Sequence, residues 1–147
     1  SKGFEFEANA NPIDGLNIRA SYSMNDSKIT ETDIPELLYR RPEEAGPETT
    51  YNFWTDYQFQ KGSFAENFGI GAGFFGASEN LTLNNGVSGV FTLPSYTIYN
   101  TSIYFQKDNY RFSVKVNNLT NKQYYTGWST VNPQAPRAFL ASVNYRF

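Results

Sequence analysis

Apolar and polar residues alternate with a period of two along most of this chain. The last stretch, Arg137 to Phe147, shows it plainly: Phe139, Ala141, Val143, Tyr145 and Phe147 take every second place. Ala138, Ser142, Asn144 and Arg146 lie between them, with Leu140 the one exception. Such alternation predicts a β-strand with one apolar face. At about ten residues, with aromatics at both ends of that face, it fits a tilted membrane-spanning strand. The competing reading is the final strand of a soluble sandwich.

Six earlier segments follow the same rule. Residues 3–9 set Phe4, Phe6 and Ala8 against Glu5, Glu7 and Asn9, and a turn through Pro12 and Gly15 follows. Residues 16–25 set Leu16, Ile18, Ala20, Tyr22 and Met24 against Asn17, Arg19, Ser21, Ser23 and Asn25, completing a hairpin. From Asp26 to about Pro47 the periodicity stops, and acids, prolines and the pair Arg40-Arg41 predict a long exposed loop. Residues 49–59 line up Tyr51, Phe53, Thr55, Tyr57 and Phe59, with Trp54 on the other face beside Asn52, Asp56 and Gln58. After a short polar connection at 60–67, Phe68, Ile70, Ala72 and Phe74 alternate with Gly69, Gly71 and Gly73. Residues 78–94 are expected to be a second long loop. In 95–106 both phases carry large residues; the one chosen here puts Tyr99, Thr101, Ile103 and Phe105 on the apolar face. Lys107-Asp108-Asn109 turns the chain into 110–117, where Phe112, Val114 and Val116 oppose Arg111, Ser113, Lys115 and Asn117. A third long loop, 118–136, leads to the last strand.

Two regularities decide between membrane and soluble readings. Connections run short, long, short, long, short, long, as in a membrane barrel with short periplasmic turns and longer external loops. A sandwich has no reason to gather its long loops at one end. The chosen apolar faces also hold no Asp, Glu, Lys or Arg, where 18 % charged residues placed indifferently would leave about five. The last strand then runs down to the periplasm and every long loop lies outside. Seven strands are an odd number, whereas single-chain bacterial barrels are even, and an open sheet leaves two edges that hydrocarbon cannot satisfy. The pattern therefore predicts part of a larger barrel.

Composition narrows the chemistry. The 147 residues carry net charge −2 and no basic field for nucleic acid. There is no cysteine and no histidine, which removes disulfides, thiolate and the usual zinc sites, and Ser-His-Asp catalysis. Aromatics at 18 % suit a membrane barrel, and a mean hydropathy of −0.54 is compatible with one, since lipid wets one side of each strand. No catalytic residues and no metal site are expected. Gly71 to Gly76 matches G-x-G-x-x-G, but inside a strand and with no helix following, so a dinucleotide loop is set aside in favour of glycines that admit another backbone or a plug. Glu31, Asp33, Glu36, Glu43 and Glu44 lack the order of a calcium loop and read as solvated.

Several runs resemble TonB-dependent outer-membrane receptors of the ferric-siderophore type. Phe112 to Tyr125 (F-S-V-K-V-N-N-L-T-N-K-Q-Y-Y) is similar to their penultimate strand and loop, and Leu93-Pro94-Ser95-Tyr96-Thr97 to their Leu-Pro-x-Tyr-Thr entry. Lys2 to Glu7 and Ser21 to Ile29 look like internal barrel strands there. The Gly-x-Pro-Arg common before the last strand is Gln134-Ala135-Pro136-Arg137 here, without the Gly. The closing strand, Phe139, Ala141, Val143, Tyr145 and Phe147, resembles the C-terminal signal of outer-membrane barrels.

That resemblance implies an all-β fold: the last seven antiparallel transmembrane strands of a 22-stranded barrel in a Gram-negative outer membrane, spanning residues 1–147 without the plug domain. It implies transport of a ferric siderophore or similar scarce ligand, with no cofactor held by this segment. The partners it implies are outer-membrane lipid, the remaining barrel strands and plug, TonB through an N-terminal part, and the barrel-assembly machinery. Arginines pair with anionic chelates and aromatics stack on catechol or sugar rings, so Tyr39, Arg40, Arg41, Tyr124, Tyr125 and Trp128 are the ligand-contact candidates. Loop packing accounts for the same residues equally well. The alternatives are a small structural outer-membrane barrel and a soluble carbohydrate-binding β-sandwich.

Overall fold

The computed structural model describes residues 1–87 and 89–147. Seven strands form one antiparallel sheet in chain order: β1 (Lys2–Ala10), β2 (Leu16–Asp26), β3 (Thr49–Gln58), β4 (Phe68–Ala77), β7 (Tyr96–Lys107), β8 (Tyr110–Asn117) and β11 (Ala138–Tyr145). The segment expected to be a plain loop between β4 and β7 instead folds as a hairpin, β5 (Asn80–Asn85) with β6 (Gly89–Leu93). The loop after β8 is pinched by β9 (Tyr125–Thr126) against β10 (Asn132–Pro133). Between β2 and β3 lie two single 3₁₀ turns, Pro35–Leu37 and Glu43–Ala45. The alternation of short and long connections holds, and the long ones share one end of the sheet.

Every strand phase read from the sequence agrees with the register. Directly opposed residues of antiparallel strands point to the same face, and the pairs link into continuous rows. One runs Leu16–Tyr57–Ile70–Ile103–Val114–Ala141, and the next Ile18–Thr55–Ala72–Thr101–Val116–Phe139. Aromatic rows flank these two: Phe53–Phe74–Tyr99 toward the long loops, and Phe68–Phe105–Phe112 toward the short turns. The ambiguous β7 falls in the chosen phase because its other face must meet Gly69, Gly71 and Gly73. Among described strand residues, the charges on the apolar side are Lys2, Asp26 and Lys107, all at strand ends.

No second sheet or helix of the described residues covers the apolar face. Val143 is 66 % exposed and Val114 44 %. A soluble sandwich would bury both against a second layer, which the described residues do not form. What core exists lies on the opposite side, where Ile98, Ala77 and Leu93 are buried beneath the long loops.

The short-turn ends step as the sheet is crossed. β2 begins at Leu16 in the Val114 row, whereas β8 begins at Tyr110, further along the strand direction. That is about one residue of stagger per strand, ~3.4 Å along for ~4.8 Å across, which tilts the strands by roughly 35°. Barrel strands in membranes tilt by about this much.

Candidate functional site

The polar face of the sheet is floored by glycine. On β4, Gly69, Gly71 and Gly73 alternate with the apolar residues, and rings from both neighbouring strands lie over them. A Cβ on Gly71 would stand 2.6 Å from Trp54 Cζ2 and 2.8 Å from Ser102 Oγ, and one on Gly69 would fall within the Tyr104 ring. The glycines thus admit the chain's own Trp54 and Tyr104 side chains, which corrects the expectation of an incoming backbone or plug. Charge edges this aromatic floor. The Arg111 guanidinium lies 4.0 Å from the Tyr104 ring centroid and Lys115 Nζ 6.0 Å from that of Trp54. Asn17 Nδ2 donates to Asp56 at 2.8 Å. Asp56 lies in the register row of Gly71, Ser102 and Lys115.

Above the wall, three long loops are stitched into one body through β5. On one side, Asn84 is buried; its Nδ2 donates to Arg41 O at 2.8 Å and its Oδ1 accepts from Arg40 Nη1 at 3.4 Å. Its backbone N–H donates to Glu43 Oε1 at 2.7 Å. On the other side, Asn80 Nδ2 donates to Gly127 O at 3.1 Å, Thr82 Oγ1 to Thr130 O at 3.3 Å, and Ser129 N to Thr82 O at 3.2 Å. Loops carrying this much buried backbone need such partners, and β5 supplies them chiefly through the side chains of Asn80, Thr82 and Asn84.

The third loop is closed at its base by Asn118. Its Nδ2 donates to Lys122 O and Ala135 O, its Oδ1 accepts from Lys122 N at 2.9 Å, and its own N–H donates to Asn100 Oδ1 at 2.9 Å. Asn118 has φ 53°, a conformation asparagine tolerates better than most residues.

The six loop candidates fall in different surroundings. Arg41 is turned inward: Nε and Nη2 donate to Gly46 O, each at 3.1 Å, and Nη1 to Asn25 O at 2.6 Å. Arg40 stands beside it at the seam with β5. Tyr124 packs on Tyr96, ring centroids 4.7 Å apart, and burial raises its pKa above 10.0, so at neutral pH it keeps its proton. Tyr125 lines a cleft of about 300 Å³ where all three loops meet, with Pro47, Leu93 and Tyr96. Asn80 Oδ1 is enclosed at this cleft without a hydrogen-bond partner among the described residues. Tyr39 and Trp128 face outward, 71 % and 59 % exposed. Arg40 and Arg41 are joined to Trp128's loop through β5. Sequence reasoning missed Asn80, Thr82, Asn84 and Asn118, although the alternation N-L-T-L-N-N at 80–85 was a readable strand signal.

A tilted antiparallel wall with one bare apolar face, one polar face and its long loops at one end defines a segment of an outer-membrane β-barrel. The family model described as TonB dependent receptor-like, beta-barrel, matches residues 1–119. The chain belongs to this family, whose members are receptors and transporters of the Gram-negative outer membrane. Among solved structures it is similar to the siderophore receptor PiuA from Acinetobacter baumannii, at 22 % identity and TM-score 0.81, over 97 % of this chain and 21 % of that one. It is also similar to the closed form of the ferric-catecholate import receptor Fiu from E. coli, at 21 % identity and TM-score 0.80, over 99 % and 20 %. A third is FpvA of P. aeruginosa bound to heterologous pyoverdines, at 19 % identity and TM-score 0.76, over 97 % and 19 %. At such identities the likeness establishes the fold. The chain spans about a fifth of the length of these structures.

Proposed function

We propose that this chain is the C-terminal portion of the barrel wall of a receptor that imports a ferric siderophore or a similar scarce chelate, energised through TonB. The carrying observation is the family match over residues 1–119 on a sheet whose apolar side is bare and whose long loops are joined into one body. Residues 1–147 form a single stretch of wall. Its two outer strands, β1 and β11, pair with the rest of the barrel, since an open edge in hydrocarbon leaves backbone groups unsatisfied. The polar face, with Trp54, Tyr104, Arg111 and Lys115, looks onto the lumen and the plug. The alternating strand from Phe139 to Phe147 is the segment the barrel-assembly machinery engages.

Ligand contact is assigned to the loop body. Tyr39, Arg40 and Trp128 offer aromatic and cationic surface for an anionic chelate, and the cleft bearing Tyr125 and the orphan acceptor of Asn80 offers a seat for a ligand donor. Arg41 and Tyr124 support this body from below. The test is energised uptake of radiolabelled iron, supplied as ferric catecholates and ferric hydroxamates, by cells relying on the full-length receptor. Combined Tyr39→Ala, Arg40→Ala and Trp128→Ala should raise the concentration for half-maximal uptake roughly tenfold or more, the scale of one lost charged contact. Unchanged uptake by a normally folded variant removes the loop assignment. An intact receptor that carries neither chelate class removes the transport reading.

A further inference from the structure

The long loops are not joined to β5 with equal strength. The loop before β3 meets it at Asn84, whose Oδ1, Nδ2 and N–H are all engaged, the last by the Glu43 carboxylate at 2.7 Å. A charge-assisted bond of that kind is roughly twice as strong as a neutral one. The loop after β8 meets β5 through Asn80 Nδ2 to Gly127 O at 3.1 Å, Ser129 N to Thr82 O at 3.2 Å and Thr82 Oγ1 to Thr130 O at 3.3 Å. All of these link neutral groups, at or beyond the long end of the usual range.

Two defects lie along this second join. Asn80 spends its amide nitrogen on Gly127, and its Oδ1 is enclosed with no donor among the described residues. An enclosed acceptor without a donor is a standing cost of the joined arrangement. The cleft of about 300 Å³ that Leu93 and Tyr96 share with Tyr125, Thr126 and Gly127 also leaves the packing there incomplete.

The far side of the join is a piece with its own internal order. Residues 125–133 form a small hairpin, with Tyr125 opposite Pro133 and Thr126 opposite Asn132. At its base Gln134 N donates to Tyr124 O at 3.0 Å, and Tyr124 packs on Tyr96. Below that, Asn118 is bonded to Asn100 of β7 and holds Lys122 O and Ala135 O, while Arg137 N donates to Asn121 Oδ1 at 2.9 Å. Both feet of the hairpin are thus pinned, and its weak attachment is the one to β5.

We propose that residues 125–133 are a flap that lets go of β5 as a unit, while the loop before β3 and the β5–β6 hairpin stay joined. Release opens the cleft beside Tyr125 and gives Asn80 Oδ1 access to a donor, from water or from a ligand. As a gate over that cleft the flap deepens the transport reading and rests on it. The release itself needs no ligand and is measured without one, so its failure is separate from the failure of that reading.

The experiment is amide hydrogen exchange on the ligand-free, full-length receptor in phospholipid vesicles, resolved to single residues by fragmentation mass spectrometry and corrected for intrinsic rates. Ser129 N–H should exchange at least tenfold faster than Asn84 N–H at the other join and than Gln134 N–H at the base of the flap. Thr82→Val removes one bond of the join and little volume. It should speed Ser129 by about fivefold, the scale of one neutral hydrogen bond, and leave Asn84 and Gln134 unchanged. A fraying tip would also free Ser129, so a Leu93→Cys thiol, buried in the cleft of a chain that has no cysteine, reports on the cleft itself. A small methanethiosulfonate should modify it, and Thr82→Val should raise that rate by the same factor, with folding checked by heat-modifiable mobility. If Leu93→Cys does not fold, Ala77→Cys on the same cleft takes its place. Ser129 as protected as Asn84 overturns the proposal. So does Gln134 exchanging along with Ser129, which means that the loop unfolds instead of swinging, or a cleft thiol whose rate ignores Thr82→Val, which means fraying alone.

Discussion

Val114 and Lys115 are chain neighbours on opposite faces of β8, which makes the face assignment testable by moving one charge. Val114 sits mid-strand on the apolar side, 44 % exposed, between Ile103 and Ala141 in register. Lys115 carries its ammonium on the other side, near Trp54. A lysine facing hydrocarbon near the bilayer centre costs ~2–4 kcal/mol, toward the lower end where its long stem lets the ammonium reach for the interface. Losing the valine adds little, because its methyls face lipid. Val114→Lys should therefore destabilise by about 2–4 kcal/mol, a factor of thirty to nearly a thousand in the folded-to-unfolded ratio. The matched control is Ser113→Lys on the polar face. It loses the exposed Ser113–Ser142 hydroxyl contact of 2.7 Å, worth about 0.5–1.5 kcal/mol. Both variants belong in the full-length receptor, unfolded by urea from phospholipid vesicles and scored by heat-modifiable mobility. Equal costs, or a heavier cost for Ser113→Lys, would refute the assignment of hydrocarbon to the Val114 side.

Two further outcomes follow from the polar face and the loops. Gly71→Val should destabilise by about 1–3 kcal/mol through collision with the Trp54 ring. Adding Trp54→Ala should recover much of that loss, and strictly additive urea-titration costs would show that ring and glycine are independent. Asn84→Ala leaves Arg41 O without its donor. Hydrogen exchange should then rise together in 38–46 and 80–85, on the order of tenfold, the scale of one lost buried hydrogen bond. A rise confined to β5 would mean that the loops are not joined there.

The sheet was legible because hydrocarbon imposes a strict rule. A charge in the wrong phase is costly in every strand, so Phe112, Val114 and Val116 against Arg111, Ser113 and Lys115 admit one reading. The β5–β6 hairpin was not legible in the same way. Thr82 and Asn84 of β5 face neighbouring loops and not lipid, so they are buried polar groups whose worth depends on Arg41 and Thr130, far away in sequence. Arg41 was visible as a cation, but its commitment to Gly46 and Asn25 carbonyls depends on how the loop folds back. The glycines of β4 were visible as gaps; what fills them required knowing that Trp54 and Tyr104 lie on the adjacent strands.

That filling has a mechanical consequence. Trp54 and Tyr104 are laid flat like tiles across β4, where flexible side chains would otherwise stand upright from the wall. Each ring fills the space a Cβ would take on the strand it covers, and the Arg111 guanidinium lies over Tyr104 in turn, so this sector stays low and closely layered. In the proposed receptor, the space above β4 on the lumen side is thereby left clear of upright side chains.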